Sequence, residues 1–408
     1  MKATKRNMSL IKGRLLALWL CLLTAACFST YGALIVVDLV LAKIISANMH
    51  SEPGARQIVA KRINEEDIPS KKAAIEDGYQ PILYPYFISA DPEIRALADK
   101  YNVAPLAPQP NTKIYFCNEG YGLLKYTTDR FGFRNNDNVW DKDVKMLLIG
   151  DSFAQGACVP FESSIGGHLQ GRGLVNLSLG TGANSPYHYA SLAKVFTPCI
   201  KPKYMAVIFY ANDNVLNEDK FHYEHYFKED HNYLTDGCEF LAEELQSFYK
   251  EVKPLVLSKA SGNDSLAHPN KSNLLARAKR YISLPTIRML FYQFMVGDNE
   301  LSSGSRLAIE TAVSVCRSYS CTPIILYIPN SSFWSPNSRS EAYVKQLREY
   351  TSDTALFIDS SEALSELGLH AYADKGSHLS PAGYGVVANQ IAEIIEKQRI
   401  YLPQNAQN

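Results

Sequence analysis

Five short, nearly uninterrupted apolar runs constrain this chain more than any other feature of its sequence. They span residues 144–149, 173–177, 204–210, 323–328 and 355–358, and the first is broken only by Lys145. A strand exposed on one face alternates apolar and polar residues, whereas a strand buried on both faces is apolar throughout. Runs this short and continuous therefore predict strands of a parallel sheet covered on both sides. Helical stretches separate them: 163–170 follows the first run, 185–196 the second, and 306–317 precedes the fourth. The closing stretch 380–397 repeats Val386, Val387, Ile391 and Ile394 at helical spacing. Strand alternating with helix predicts a layered α/β fold, with reactive groups gathered at the carboxyl ends of the strands.

The pattern begins only at residue 144, so the preceding chain needs its own account. Lys2, Lys5, Arg6, Lys12 and Arg14 make residues 1–14 a basic tail. Leu15 to Val37 then holds 23 residues without a charge, against the roughly 20 that a membrane-spanning helix needs. This predicts a transmembrane helix over 15–42, with the basic tail in the cytoplasm and the rest of the chain extracytoplasmic (periplasmic). Three readings compete: a cleaved signal peptide, a lipoprotein box at Leu23-Thr24-Ala25-Ala26-Cys27, and a buried core helix. Residues 43–143 are polar and rich in proline and charge, and predict a stalk and N-terminal cap with a helix near Pro92 to Tyr101. The sheet domain occupies 144–402. Its stretch from about 216 to 300 is too long for a loop and predicts an inserted subdomain. Tyr223, His225, Tyr226 and Tyr233 in it are candidates for a sugar groove, with ordinary packing as the plainer reading.

Lys+Arg and Asp+Glu both count 41, so the net charge is zero and nothing indicates a nucleic-acid partner. Six cysteines follow the predicted span: Cys117, Cys158, Cys199, Cys238, Cys316 and Cys321. In an oxidising compartment some of them can pair, Cys316 and Cys321 being nearest in sequence. No pair has zinc-site spacing, and connectivity stays open.

Four segments near predicted strand ends carry candidate chemistry. Gly150-Asp151-Ser152-Phe153 places a serine on a strand-to-helix turn, where its hydroxyl can be exposed and its N–H can face an oxyanion. Asn176 to Gly182 offers glycine N–H groups for close approach to a reacting carbonyl. Ala211-Asn212-Asp213 offers the uncharged N–H donors of Asn212. Ser377-His378-Leu379-Ser380-Pro381 offers an imidazole as general base. Taken singly, each has a plain reading as a helix cap, a tight turn, an Asx turn or a loop. Ser380 and Pro381 in any case suit the N-cap and first position of the last helix.

Together and in this order, the four segments resemble the GDSL, or SGNH, hydrolase superfamily, whose Ser, Gly, Asn and His blocks fall on Ser152, Gly180, Asn212 and His378. The resemblance covers about 144–215 and 305–395. Thr128-Asp129-Arg130-Phe131-Gly132-Phe133-Arg134-Asn135 is similar to a lead-in found before the serine block of bacterial membrane-linked members. The resemblance implies a flavodoxin-like three-layer fold of about five parallel strands. It also implies a Ser152 nucleophile, a His378 base, and an oxyanion hole built from the Ser152 N–H, Gly180 and Asn212, with no metal or organic cofactor.

Three departures remain open. The family's aspartate stands three residues before its histidine, where this chain has Lys375; Asp374, one residue earlier, is the expected carboxylate, with Asp359 or a Ser-His dyad as alternatives. Tyr210 occupies a position that is usually glycine. Gly182 competes with Gly180 as the oxyanion donor. The expected activity is hydrolysis of carboxylic esters through an acyl-serine, on an ester-bearing glycan or lipid such as an O-acetylated envelope polysaccharide. An O-acyltransferase and a non-catalytic envelope protein that binds a glycan or a partner are the alternatives.

Overall fold

The computed structural model describes residues 29–41, 68–85, 91–214, 220–227, 233–262, 284, 287, 301–330 and 338–401. The basic tail, residues 15–28 and 42 of the predicted span, residues 43–67 and most of 263–300 lie outside the described residues. The chain divides into two compact units, one of residues 1–52 with 263–297 and one of 53–262 with 298–408. In the first, residues 29–41 are helical. No helix among the described residues is long and apolar enough to cross a membrane.

The second unit opens with a small sheet. Strand β1 (Gln80–Pro81) runs parallel to β2 (Lys113–Tyr115), which pairs antiparallel with β3 (Lys125–Thr127). Five strands follow, β4 (Met146–Ile149), β5 (Asn176–Ser178), β6 (Tyr204–Tyr210), β7 (Thr322–Ile328) and β8 (Leu356–Asp359); each overlaps an expected apolar run, β5 only at Asn176 and Leu177. They form an all-parallel sheet in the order β5-β4-β6-β7-β8. Alternate residues along each strand enter two separate cores. Leu147, Ile149, Met205, Val207, Phe209, Ile325 and Tyr327 join one core with Leu192, Ala193, Ala308, Ile309, Tyr343 and Leu347. Met146, Leu148, Ala206, Ile208, Ile324, Leu326 and Ile358 join the other with Ile165, Leu169, Leu364, Val387, Ala388 and Ile391. Helices therefore flank the sheet on both faces, which is why its strands read as continuous apolar runs.

The flanking helices in chain order are α1 (Ser152–Gln155), α2 (Ile165–Gly171), α3 (Pro186–Ile200), α4 (Ser303–Tyr319), α5 (Ser338–Thr351), α6 (Ser361–Glu366) and α7 (Pro381–Tyr401). Four of them match stretches expected from the sequence. Helix α5 carries too weak an apolar period to show in the sequence: of its fully buried described side chains Tyr343, Leu347 and Thr351, one turn apart, the last is polar. The expected helix near Pro92 is present over Pro92–Lys100, with the Asp91 carboxylate accepting from the Glu93 and Ile94 N–H groups. Of the predicted insertion, Phe221–Tyr226 and Tyr233–Gly262 are helical. Tyr226 and His225 are buried, and the Tyr226 hydroxyl donates to the Ala104 carbonyl at 2.6 Å. Tyr223 packs against Tyr187. Packing therefore engages Tyr223, His225 and Tyr226; the Tyr233 side chain lies outside the described residues.

Residues 103–135 are more than a cap on this frame. Leu106, Ala107, Phe131 and Phe133 belong to the same core as β4 and β6. The segment turns around Asp129, a fully buried carboxylate. Its Oδ1 accepts from the Phe131 and Phe133 N–H groups, and its Oδ2 from Asn135 Nδ2 and Trp140 Nε1, all within 3.0 Å. Burial pushes the Asp129 carboxyl up, to about 6, against the pull of these donors. Asn135 passes the connection on to the main sheet. Its amide exchanges two 2.9 Å bonds with the backbone of Ser178, as a neighbouring strand would, and so covers the edge at β5. Asp129→Ala would orphan four donors, each costing about 1–3 kcal/mol when buried unpaired. Urea unfolding should show a loss of about 3 kcal/mol or more; a loss under about 1 kcal/mol would mean that the donors find other partners.

Candidate active site

Three neighbouring strands deliver the first groups of the site. Leu148 pairs with Ser178 on one side and Ala206 on the other, so the chain leaves β4, β5 and β6 at one edge of the sheet. Strands β5 and β6 lie on opposite sides of β4, and a crevice forms where connections diverge in this way. At the end of β4, Asp151 Oδ1 accepts from the Phe153 N–H at 2.9 Å and turns the chain into the short α1, with Ser152 as its first residue. After α1, Arg134 holds the returning loop by donating to the carbonyls of Gln155, Gly156 and Val159. Arg134 is buried, and this burial lowers the affinity of its guanidinium for a proton.

Gly180 follows β5 and lies against this turn. A Cβ there would stand 2.3 Å from the Gln155 nitrogen and 2.6 Å from the Ala154 Cβ, so only glycine permits the approach. The Gly182 N–H is taken by Gln155 Oε1 at 2.9 Å, whereas the Gly180 N–H makes only a long 3.4 Å bond to Ser178 Oγ. Between the two glycines, Gly180 is therefore the one with donor capacity to spare. Asn212 sits exposed in the turn after β6. Its neighbour Asp213 is buried and shapes that turn, accepting from the Tyr210 N–H at 2.8 Å and the Tyr189 hydroxyl at 3.1 Å. Tyr210 stacks on Phe153 with ring centroids 4.2 Å apart.

His378 arrives from the far end of the chain. Residues 372–379 fold back on themselves, with Tyr372 bridging Leu379 and the Ala373 N–H donating to the His378 carbonyl. Ser380 then caps α7 by accepting from the Gly383 N–H at 3.0 Å, and Pro381 opens the helix. This loop sets His378 Nε2 2.9 Å from Ser152 Oγ.

The carboxylate behind His378 is Glu119, not Asp374. Glu119 lies 259 residues upstream, on the connection between β2 and β3. Its Oε1 stands 2.8 Å from His378 Nδ1 and accepts from the Ser377 N–H at 3.2 Å; its Oε2 accepts from the His378 N–H at 3.1 Å. One carboxylate thus fixes both the ring and the backbone that carries it. Gly376 makes room, because a Cβ there would fall 1.8 Å from the Glu119 Cδ. Asp374 is exposed at the outer end of the loop, and the turn at 374–375 carries its side chain into solvent while Glu119 fills the space behind the ring. Asp359, the other expected candidate, pairs with Arg348 at 2.9 Å. No feature near Glu119 marks it in the sequence, except that it follows Cys117 by two residues.

Burial pushes the Glu119 carboxyl up, but the His378 ring and the two N–H donors outweigh it and hold the group below the ordinary glutamate range. Burial likewise pushes His378 down, and the hydrogen bond and charge of Glu119, aided by Asp151, overcome this and hold the imidazole above its ordinary value. Burial pushes Asp151 itself up, to about 6. The result is a hydroxyl, an imidazole and a carboxylate in one hydrogen-bonded line, an arrangement that can take a proton from the hydroxyl and stabilise the imidazolium that forms. Glu119, Cys158 and His378 offer ligand atoms within 4.8 Å of one another, as a metal site would. Cys158 is bonded to Cys117, however, so its sulfur is not the thiolate that binds metals.

No protein-family model matches the chain, and no curated protein matches it significantly. The five-stranded parallel sheet is compatible with an SGNH hydrolase and is shared by other α/β proteins, so the fold by itself does not specify the chemistry.

The geometry at Gly376 yields a direct test. Gly376→Ala should drive Glu119 off the ring and let burial dominate, so that the His378 imidazole titrates at lower pH than in the parent protein. NMR titration of the ring reads this; an unchanged midpoint would mean that Glu119 does not hold the proton on His378.

Proposed function

We propose that this protein is a serine ester hydrolase of the SGNH type, with Ser152 as nucleophile, His378 as general base and Glu119 as the carboxylate behind it. One observation carries the reading: the unbroken line from Ser152 Oγ to His378 Nε2 and from His378 Nδ1 to Glu119. The strand order β5-β4-β6-β7-β8 supports it, being the flavodoxin-like order that the resemblance implies.

In this reading Ser152 Oγ attacks the ester carbonyl carbon as its proton passes to His378 Nε2. The Ser152 and Gly180 N–H groups and the Asn212 amide hold the oxyanion of the tetrahedral intermediate. The C–O bond to the alcohol then breaks, and the imidazolium gives its proton to the departing oxygen. Water, deprotonated by His378, attacks the acyl-serine; the carboxylic acid leaves and the serine is restored. Glu119 keeps the Nδ1 proton in place throughout, so that Nε2 is free to accept.

The substrate class is a carboxylic ester, with O-acetyl groups of an envelope glycan as the favoured case. Three disulfides, Cys117–Cys158, Cys199–Cys238 and Cys316–Cys321, suggest an extracytoplasmic location. The basic tail and the uncharged run after it would anchor the enzyme to the inner membrane, with its site on the periplasmic side.

A fluorophosphonate should label the full chain at Ser152, with no label on the Ser152→Ala protein; equal labelling of both would overturn the assignment. Glu119→Gln should lower kcat on a chromogenic short-chain ester by about 10³–10⁴-fold, as loss of the orienting carboxylate does in serine triads. Asp374→Asn should leave kcat near that of the parent. The pH profile follows from His378. The base works only when neutral and its proton affinity is raised, so kcat/KM should climb with pH through a midpoint above the ordinary histidine value of 6.5. A midpoint at or below that value would contradict the Glu119–His378 pairing.

A further inference from the structure

Ser152 and His378 both stand on the main sheet's own connections, but Glu119 does not. It sits on the hairpin between β2 and β3, whose Phe116–Leu124 and Leu124–Cys117 backbone bonds close the hairpin on itself. Asn118 Oδ1 tightens the same tip by accepting from the Gly120 and Gly122 N–H groups. A covalent bond joins this tip to the nucleophile loop, because Cys117, two residues before Glu119, is bonded to Cys158. Cys158 closes the turn that begins at Ser152: the Ala157 N–H donates to the Ser152 carbonyl at 2.9 Å, and Cys158 takes a left-handed φ of 62°. Few non-glycine residues adopt that conformation unless their surroundings impose it. Cys158 Sγ also lies 3.6 Å from His378 Nδ1, beside the edge of the ring that Glu119 engages.

Resting on the hydrolase reading above, we propose that the Cys117–Cys158 disulfide is the positioning element that delivers Glu119 to His378, so that the site is fully assembled only in the oxidised protein. Two physical effects act together. The crosslink spares the hairpin the entropy of finding the nucleophile loop, and so keeps the carboxylate on the ring. It also removes a competitor: a Cys158 thiolate at this distance would be a second acceptor for the Nδ1 proton. Opening the bond requires a dithiol reductant, which supplies two electrons and two protons to the cystine sulfurs and leaves as its own disulfide. Two cysteine thiols result, and Glu119 is no longer tied to the loop that carries Ser152.

A second disulfide in the same unit provides the control. Cys117–Cys158 closes a sequence separation of 41 and Cys199–Cys238 one of 39, so loss of either releases nearly the same chain entropy. Cys199–Cys238 joins α3 to the helix Tyr233–Gly262 and carries none of Ser152, Glu119 or His378. The full chain, Cys117→Ala/Cys158→Ala and Cys199→Ala/Cys238→Ala should be compared on one chromogenic short-chain acyl ester, with thermal unfolding alongside.

The two variants should lose similar thermal stability. Only Cys117→Ala/Cys158→Ala should lose kcat, by about tenfold or more with KM little changed, as a lost transition-state interaction requires. In that variant the rise of kcat with pH should also move to lower pH, as in Glu119→Gln. If the first variant fails to fold, graded reduction of the parent by a dithiol replaces it, with each cysteine followed by alkylation and mass spectrometry. Activity should then fall in step with alkylation of Cys117 and Cys158 and return on reoxidation. Parental kcat and pH profile after loss of Cys117–Cys158, or equal kcat losses in both variants, would overturn the positioning role alone. A parent that neither hydrolyses ester nor takes a fluorophosphonate at Ser152 would overturn the hydrolase reading, and the positioning role with it.

Discussion

The pairing of Glu119 with His378 is the interaction on which the rest of the site depends. A buried imidazole loses its proton readily, and a buried carboxylate gains one. Each partner here reverses that tendency in the other. The two further N–H donors from Ser377 and His378 matter as much as the ring bond, because they tie the carboxylate to the backbone that carries the imidazole. The backbone under the ring is thereby fixed, and the ring cannot swing away from Ser152 without also breaking its bond to Glu119. Such a pair needs close quarters, and Gly376 supplies them by leaving no side chain where Glu119 must stand.

That requirement reaches back through the fold. Glu119 is offered by a hairpin of the small N-terminal sheet, so the hairpin must be held in register with the main sheet. Asp129 and Asn135 do this downstream of the hairpin, gathering residues 129–140 around one buried carboxylate and then pairing with the backbone of Ser178. Ser178 in turn donates to the Ala154 carbonyl at 2.6 Å and lies within reach of the Gly180 N–H. The segment downstream of the Glu119 hairpin and the segment that carries Gly180 thus share one hydrogen-bonded network. Arg134, within the same stretch, holds the loop after Ser152 by its carbonyls. Residues 128–135 act as the joint between the two sheets.

The main sheet was legible because burial on both faces leaves a strong local mark. Each of its five strands overlaps an apolar run, β5 least, at Asn176 and Leu177 alone, whereas their order in space depends on pairings between distant segments. Ser152 and His378 each have a plainer reading alone, as a helix cap and a loop residue; the order of the four segments, and the resemblance it carries, singles them out, and the fold sets their side chains 2.9 Å apart. Helix α5 leaves no such mark, because only two of its three fully buried described side chains, Tyr343 and Leu347, are apolar. Glu119 escaped notice for a different reason. Its contact with His378 spans 259 residues, and apart from Cys117 two residues before it nothing local distinguishes it from an ordinary loop glutamate. The family pattern drew attention to Asp374, since it assumes that the carboxylate and the histidine share one loop. Here the loop is one residue longer than that pattern, and the turn carries Asp374 outward into solvent.

A carboxylate on a distant hairpin, rather than on the histidine's own loop, changes what holds the line of Ser152, His378 and Glu119 together. A carboxylate three residues from its histidine is positioned chiefly by a single loop. A carboxylate on a separate sheet depends on tertiary structure, and its engagement falls as soon as the two sheets separate slightly. That dependence is what gives the Cys117–Cys158 bond leverage in the proposed reading, because it joins the Glu119 hairpin to the loop after Ser152 beside His378. It also means that the start of the strand pattern at residue 144 is not the start of the working unit. Phe131 and Phe133 fill the core beside β4, and Glu119 completes the hydrogen-bonded line to Ser152, so the packed unit begins well before the first strand of the main sheet.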